Sequence, residues 1–100
     1  MTVRLTPGVT VKCHYTGTLL DGTQFDSSRD RGAEFEFQLG SGVIQGWSDG
    51  VATMKKGERA MFEIQSHKAY GDAGSPPTIP GGATLLFDIG LSSWFPEWEN

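Results

Sequence analysis

Hydrophobic and polar residues alternate along much of the chain. In residues 9–17 most odd positions are apolar or aromatic, whereas the even positions are polar. A period of two is typical of a β-strand with one buried face. The dipeptide Asp21-Gly22 predicts a hairpin turn, and a return strand follows over 23–26. Three more segments complete the set of predicted strands: 34–39, 59–65 and 84–91.

Only one segment has a helical period. Its apolar residues are three, four and three positions apart, which places them on one stripe: Ile44, Trp47, Val51 and Met54. Gly57 is the expected left-handed cap of this helix. The pattern therefore predicts an α+β domain, with an antiparallel sheet of about five strands folded over one short helix. We expect one domain over 1–93 and a C-terminal tail or linker over 94–100.

Composition and charge narrow the classes of function. Eight Lys and Arg residues against twelve Asp and Glu residues give a formal charge of −4. Nucleic acid and anionic membranes are therefore unexpected partners, because both select for basic surfaces. A lone cysteine suits a reducing compartment, and neither a signal peptide nor a membrane-spanning segment is evident. We expect a monomer located in the cytoplasm, with the nucleus as the alternative.

Hydrolytic and metal chemistry find little support in the sequence. No serine lies in a G-x-S-x-G elbow, and Cys and His are too few for a zinc site. His14 and His67 are expected to have surface or capping roles, and Cys13 is expected to be an inert core thiol. We therefore expect neither a metal nor a cofactor.

The sequence has more large aromatic side chains than a core of this size needs for packing. A curved sheet could arrange them as an apolar cup around the helix. The rings are Tyr15, Phe25, Phe35, Phe37, Trp47, Tyr70 and Phe87. Asp26 ends a strand beside the expected cup, where Arg31 or Tyr15 could donate hydrogen bonds to it. The alternative interpretation is a structural Asp–Arg pair that anchors a loop.

A collinear series of motifs resembles the FK506-binding-protein (FKBP) family of peptidyl-prolyl isomerases. The motifs are HYTGTLLDGTQFDSSRDR, VIQGW, GVATMKKGE, AYG, GSPPTIP and ATLLFDI, which together span about residues 8–91. The sequence is most similar to the first isomerase domain of large tetratricopeptide-containing immunophilins, particularly those of plants. The resemblance implies a twisted antiparallel half-barrel wrapped around one short α-helix.

The resemblance also implies a pocket for the proline ring of an X-Pro peptide, or for the pipecolyl ring of FK506 or rapamycin. Trp47 would be its floor, the Ile44 N–H and the Tyr70 hydroxyl would donate to ligand carbonyls, and Ile79 would close over the ligand. The implied catalytic residues are Asp26, Tyr70, Phe87 and Trp47. The implied ligand-binding residues are Tyr15, Phe25, Arg31, Phe35, Phe37, Val43, Ile44 and Ile79.

The sequence departs from the family pattern at several positions. Gly42 replaces a residue that is often acidic, Ser75 replaces a frequent histidine, and Gly90 stands where a charged residue is usual. The family would act on proline-containing peptides and proteins, as a single module or within a larger co-chaperone. A binding or scaffold module with little turnover is the alternative function. A third hypothesis is a chaperone surface at the aromatic tail residues Trp94, Phe95 and Trp98. The alternative is that these residues belong to a linker or pack back on the sheet.

Overall fold

A computed structural model describes residues 8–95, which form one five-stranded antiparallel sheet and short helical segments. The strands are β1 (Thr10–Leu19), β2 (Gln24–Ser27), β3 (Phe35–Gln38), β4 (Arg59–Ile64) and β5 (Leu85–Phe95). The helices are α1 (Ser28–Arg31) and α2 (Gln45–Val51), and a 3₁₀ turn covers Ser66–Lys68. The predicted fold class is confirmed. In residues 8–95, no helix has the length and apolar content that a membrane crossing requires.

The long strands β1 and β5 form the centre of the sheet. They pair along the whole of β1, and β4 lies on the far side of β5. The other edge of β1 pairs with β2 along one half and with β3 along the other, which gives the order β2-β1-β5-β4 with β3 beside β1. Two short strands that share one edge of a long strand let the sheet curve around the helix.

The concave face of this sheet holds the core. Alternate residues of β1 and β5 are fully buried there, including Val11, Cys13, Leu85 and Ile89. Each large apolar side chain contributes about 1.5–3 kcal/mol by leaving water. Alternation along the two central strands therefore explains most of the packing, as the sequence pattern predicts.

Helix α2 approaches the sheet closely because its inner face carries glycine. A Cβ at Gly50 would lie 2.9 Å from the ring of Phe62, and one at Gly46 would collide with the side chain of Ile64. Real Cβ atoms do not make contacts that short. Glycine lowers the helix propensity of this segment, but it allows the helix to sit directly against β4.

The helix is shorter than its apolar stripe predicts. It ends at Val51, so the buried Met54 lies beyond it and Gly57 does not cap it. The Thr53 hydroxyl donates to the carbonyl of Gly50 at 2.7 Å, which satisfies one of the last carbonyls. Gly57 does have a positive φ of 84°, but it lies in the turn before β4.

Helix α1 has no counterpart in the predicted elements because four residues are too few to show a helical period. Local hydrogen bonding forms it instead. The Ser27 hydroxyl accepts from the backbone N–H of Asp30 at 3.2 Å, as an N-cap does. Gly32 ends the helix with a φ of 69° and donates to the carbonyl of Arg29.

The last strand extends into the segment expected to be a tail. Strand β5 continues to Phe95, and Trp94 pairs with Val11 and is only 5% exposed. A register shift between β1 and β5 beside Lys12 changes the alternation and turns Trp94 inward. Trp94 therefore packs back on the sheet, as one of the alternatives for the tail expects, and does not belong to an exposed surface, whereas Phe95 is 62% exposed. Trp98 lies outside the described residues.

Candidate active site

A cavity of about 130 Å³ opens between the start of α2 and the concave face of the sheet. An engineered cavity of about 150 Å³ in another protein holds one benzene molecule, so this cavity has room for a single ring. Its lining residues are Tyr15, Phe25, Asp26, Phe35, Gly42, Val43, Ile44, Trp47, Tyr70 and Phe87.

Trp47 is the aromatic centre of the site. Its ring meets those of Tyr15, Phe35, Phe37 and Phe87 edge to face, with centroids 5.0–5.6 Å apart. Edge-to-face pairs of this kind are each worth about 0.5–1.5 kcal/mol beyond their burial. Four such pairs hold Trp47 in one orientation, and its side chain is 4% exposed at the cavity.

Three strands and the helix supply these rings for simple reasons of register. Tyr15 of β1 and Phe87 of β5 lie on the inward positions of paired strands, and Phe35 does the same from β3. Trp47 reaches the cavity from the first turn of α2, where its backbone N–H donates to the Ile44 carbonyl at 3.0 Å. The inward residues of the strands and the first turn of α2 therefore bring their rings to the same cavity.

Two hydrogen-bond donors at the cavity have no acceptor within residues 8–95. One is the backbone N–H of Ile44, which immediately precedes α2. The other is the hydroxyl of Tyr70, whose side chain is 42% exposed at the rim. Donors that line an aromatic cavity in this way are suited to the carbonyl groups of a bound molecule.

Asp26 is held at the cavity by two neighbours. The Tyr15 hydroxyl donates to one carboxylate oxygen and the Arg31 guanidinium donates to the other. Arg31 also donates to the Tyr15 hydroxyl at 3.4 Å and lies 5.8 Å from the centre of the Tyr15 ring. The two interpretations of Asp26 are therefore compatible, because it both pairs with Arg31 and lines the cavity.

The electrostatics of this group keep Asp26 ionised. Partial burial by itself would raise the pKa of Asp26, but the hydrogen bonds from Tyr15 and Arg31 outweigh it and lower the pKa below the usual range. Burial and the bond to Asp26 raise the pKa of Tyr15. At neutral pH the site therefore contains a carboxylate and a neutral phenol, and neither is poised to exchange a proton.

Three residues assigned to ligand binding do not line the cavity. Phe37 packs behind it, stacked on Phe35 with centroids 5.6 Å apart. Arg31 contacts the lining residues Asp26 and Tyr15 but does not itself line the cavity. Ile79 is buried in the core, because paired backbone hydrogen bonds with Ser75, of 2.8 and 3.0 Å, turn this part of the loop inward. The other nine predicted site residues are brought together at the cavity.

Gly42 lines the cavity although the sequence marks it only as a departure from the family pattern. Its φ of 77° lies in the left-handed region, and a Cβ there would meet nothing within 4 Å. The wall at this point is therefore backbone alone. A glycine directly before an apolar pair gives no clear sequence signal for this role.

Cys13 and the histidines lie apart from this site. Desolvation by burial, with a smaller contribution from Glu34, raises the pKa of Cys13 to about 12, which confirms it as an inert core thiol. His14 lies on the outer face of β1 with Nδ1 2.9 Å from the Ser28 hydroxyl. His67 is exposed in the 3₁₀ turn.

Comparisons with known proteins agree with this geometry. Residues 2–92 match the family described as FKBP-type peptidyl-prolyl cis-trans isomerase. The Arabidopsis thaliana peptidyl-prolyl cis-trans isomerase FKBP15-2 is 56% identical over 85 residues, which are 84% of this chain and 52% of the relative. The Drosophila melanogaster FK506-binding protein 59 is 54% identical over 88 residues, which are 87% of this chain and 20% of that protein.

A solved structure shows the same fold. The crystal structure of Escherichia coli FkpA matches 94% of this chain with a TM-score of 0.86 and 40% sequence identity, over 43% of its own chain. The chain thus spans about half the length of the plant relative and less of the other two. The chain belongs to the FKBP-type peptidyl-prolyl cis-trans isomerase family.

Proposed function

We propose that the protein is a peptidyl-prolyl cis-trans isomerase that binds the proline ring of its substrate in the aromatic cavity. The observation that carries the proposal is a ring-sized, aromatic-lined cavity with two donors at its edge, the Ile44 N–H and the Tyr70 hydroxyl, that have no acceptor within residues 8–95. Family membership supports the same reaction. Folding assistance follows from it, because prolyl bonds exchange slowly in unfolded chains.

The reaction needs neither a nucleophile nor a proton donor. Rotation about the X-Pro bond has a barrier of about 18–20 kcal/mol because the planar amide is stabilised by resonance. At the twisted transition state the resonance is lost, and the carbonyl is less polar than in the planar amide. A dry aromatic surface such as Trp47 and Phe87 favours that less polar form, which is catalysis by differential binding.

The polar groups position the substrate around this surface. The Ile44 N–H and the Tyr70 hydroxyl would hold peptide carbonyls on either side of the proline while the amide turns. Asp26 lies at the cavity as a fixed anion, held by Tyr15 and Arg31.

FK506 and rapamycin are the proposed inhibitors, because their pipecolyl ring fits a cavity of this size and the Drosophila relative is named as an FK506-binding protein. The proposed setting is the cytoplasm, or the nucleus, either as a monomer or as one domain of a larger co-chaperone. A free, buried cysteine supports a reducing compartment. The length of the relatives supports the co-chaperone setting.

Exchange of a Leu-Pro or Phe-Pro peptide between cis and trans, measured with catalytic amounts of protein, tests the proposal. Acceleration that FK506 abolishes is the expected result. Tight FK506 binding without acceleration would favour the scaffold module instead. Absence of both would mean that the open wall at Gly42 has removed the function of the site.

A further inference from the structure

Gly90 lies in the middle of β5 on the outer face of the sheet, away from the cavity. The register places His14 of β1 and Arg59 of β4 directly opposite it on the two sides. Its chain neighbours Ile89 and Leu91 are buried, so Gly90 and its two cross-strand partners face outward. The three residues form one row across the sheet with a gap at its centre, which we name the Gly90 slot.

The Gly90 slot is a notch in the outer face of the sheet with the Arg29 guanidinium against it. Among residues 8–95, a Cβ at Gly90 would meet only Nη2 of Arg29 within 4 Å, at 3.6 Å. Glycine inside a strand weakens the strand and often marks a place where another group approaches the backbone closely. The slot therefore has room for a small group beside the Arg29 guanidinium.

The arginines beside the slot share a single carboxylate. Arg59 donates from Nε and Nη2 to the two oxygens of Asp88, at 2.9 Å each. Arg29 donates from Nη2 to one of the same oxygens at 3.4 Å. Within residues 8–95, Nη1 of Arg59 has no acceptor. Two cations against one anion leave a surplus positive charge next to the slot.

Among residues 8–95, no other charged side chain on the outer face of β1 or β4 forms an ion pair with these two arginines. On β1, Lys12 lies 3.9 Å from Glu36, so that pair is neutral by itself. On β4, Glu63 is four residues from Arg59, about 13 Å along the strand and beyond the screening length at physiological salt. The surplus is therefore a local positive surface on a chain whose formal charge is −4.

We propose that the Gly90 slot is a docking site for an acidic side chain of a protein partner. The carboxylate of an Asp or Glu residue enters between His14 and Arg59 and accepts hydrogen bonds from Arg29 and Arg59. A guanidinium matches a carboxylate in geometry, and such charge-assisted bonds are about twice as strong as neutral ones. The slot is as deep as one missing side chain, which suits a carboxylate on a short methylene stem.

The test is a nuclear magnetic resonance titration of the Nε–H signals of Arg29 and Arg59. The probe is a short capped peptide rich in glutamate, and its glutamine counterpart is the matched control. We expect saturable shifts with the glutamate peptide and binding about tenfold weaker with glutamine. Raising the ionic strength tenfold should weaken binding of the glutamate peptide several-fold, because exposed charges are screened.

Variants place the binding at the slot. Gly90→Glu puts a carboxylate into the slot from the chain itself and should abolish the response. Gln65→Glu makes the same change of charge at the exposed end of β4 and should leave the response unchanged. Prolyl exchange should be unchanged in both, because the cavity lies on the other face. A failure to accelerate prolyl exchange would count against the proposed isomerase activity. A missing response of the arginine signals to the peptide would count only against the proposed docking site.

Four results would overturn the proposal. They are no shift in the unaltered protein, equal shifts with the glutamine peptide, an unchanged response in Gly90→Glu, or inorganic phosphate that binds as tightly as the glutamate peptide. The last result would identify a general anion surface rather than a site for an acidic side chain.

Discussion

The Tyr15 hydroxyl donates a hydrogen bond to the Asp26 carboxylate at the edge of the cavity. Tyr15 comes from the middle of β1 and Asp26 from the neighbouring strand β2, so the bond spans the sheet edge where the two strands separate. Arg31, in α1, completes the group from the other side. A carboxylate that would otherwise be solvated is therefore fixed beside the aromatic surface.

The two tyrosines at the cavity allow a matched comparison. Tyr15→Phe removes the donor to Asp26, and we expect a loss of about 1 kcal/mol in unfolding free energy, a modest figure because Asp26 stays partly solvated and paired with Arg31. Tyr70→Phe removes a hydroxyl without an acceptor in residues 8–95, so stability should change by less than about 0.5 kcal/mol. Urea unfolding measures both.

For activity we expect the reverse order, with Tyr70→Phe more harmful than Tyr15→Phe. Tyr70→Phe should lower kcat/KM for prolyl exchange by about tenfold, because one positioning bond to the substrate is lost. Tyr15→Phe should lower it less, since Arg31 still holds Asp26. Equal stability losses in the two variants would contradict the hydrogen bonding described for Asp26.

The pH dependence of stability follows from the lowered pKa of Asp26. Its folded value lies below the ordinary 3.8, so the carboxylate stabilises the fold above that pH, and the contribution is lost as the pH falls through the folded pKa. The pKa of Asp88 is also lowered, chiefly because Arg59 donates hydrogen bonds to its carboxylate. The unfolding temperature should therefore not depend on the titration of these groups at neutral pH, and it should fall in acid.

A variant separates the contribution of Asp26 from that of other carboxylates. Asp26→Asn should flatten part of the decline below about pH 4 and leave exchange activity as independent of neutral pH as in the unaltered protein. Activity that rises or falls steeply across neutral pH would indicate proton transfer. The lowered pKa of Asp26 and the raised pKa of Tyr15 both argue against that chemistry.

Most strands could be predicted from the sequence because they bury alternate residues on a single face. Strand β2 does not alternate in this way and could be located from the Asp21-Gly22 turn before it. Helix α2 could be located but not bounded, since Met54 continues the apolar stripe after the helix has ended at Val51. Helix α1 could not be found, because a single turn capped by Ser27 depends on hydrogen bonds rather than on a period.

In the site too, the residues on strands could be predicted from the sequence, whereas the positions of the loop residues could not. Inward positions of paired strands, such as Tyr15 and Phe87, reach the cavity as expected. The loop residue Ile79 does not line it, because its backbone pairing with Ser75 is a contact within a long loop that no periodicity reports. Gly42 lines the cavity through its backbone, and only the folded loop reveals this.

Close packing of α2 predicts that a more helix-favouring residue will destabilise the protein. Gly50→Ala should gain up to about 1 kcal/mol in helix propensity, but its Cβ would lie 2.9 Å from the half-buried Phe62 ring, and overpacking of this kind costs about 1–3 kcal/mol. Combining it with Phe62→Leu should recover part of the loss. A stability gain from Gly50→Ala alone would show that the helix does not sit this close to β4.

Adjacent aromatic residues at the end of β5 test whether the strand includes the expected tail. Trp94→Ala removes a side chain buried opposite Val11 and should cost about 3–5 kcal/mol in unfolding free energy. Phe95→Ala is the matched control, because its side chain points to solvent, and it should cost less than about 0.5 kcal/mol. Chemical unfolding at equal protein concentration measures both. Similar small losses would return Trp94 to the tail and end the domain near residue 93, whereas the expected difference makes Trp94 part of the core that supports β1.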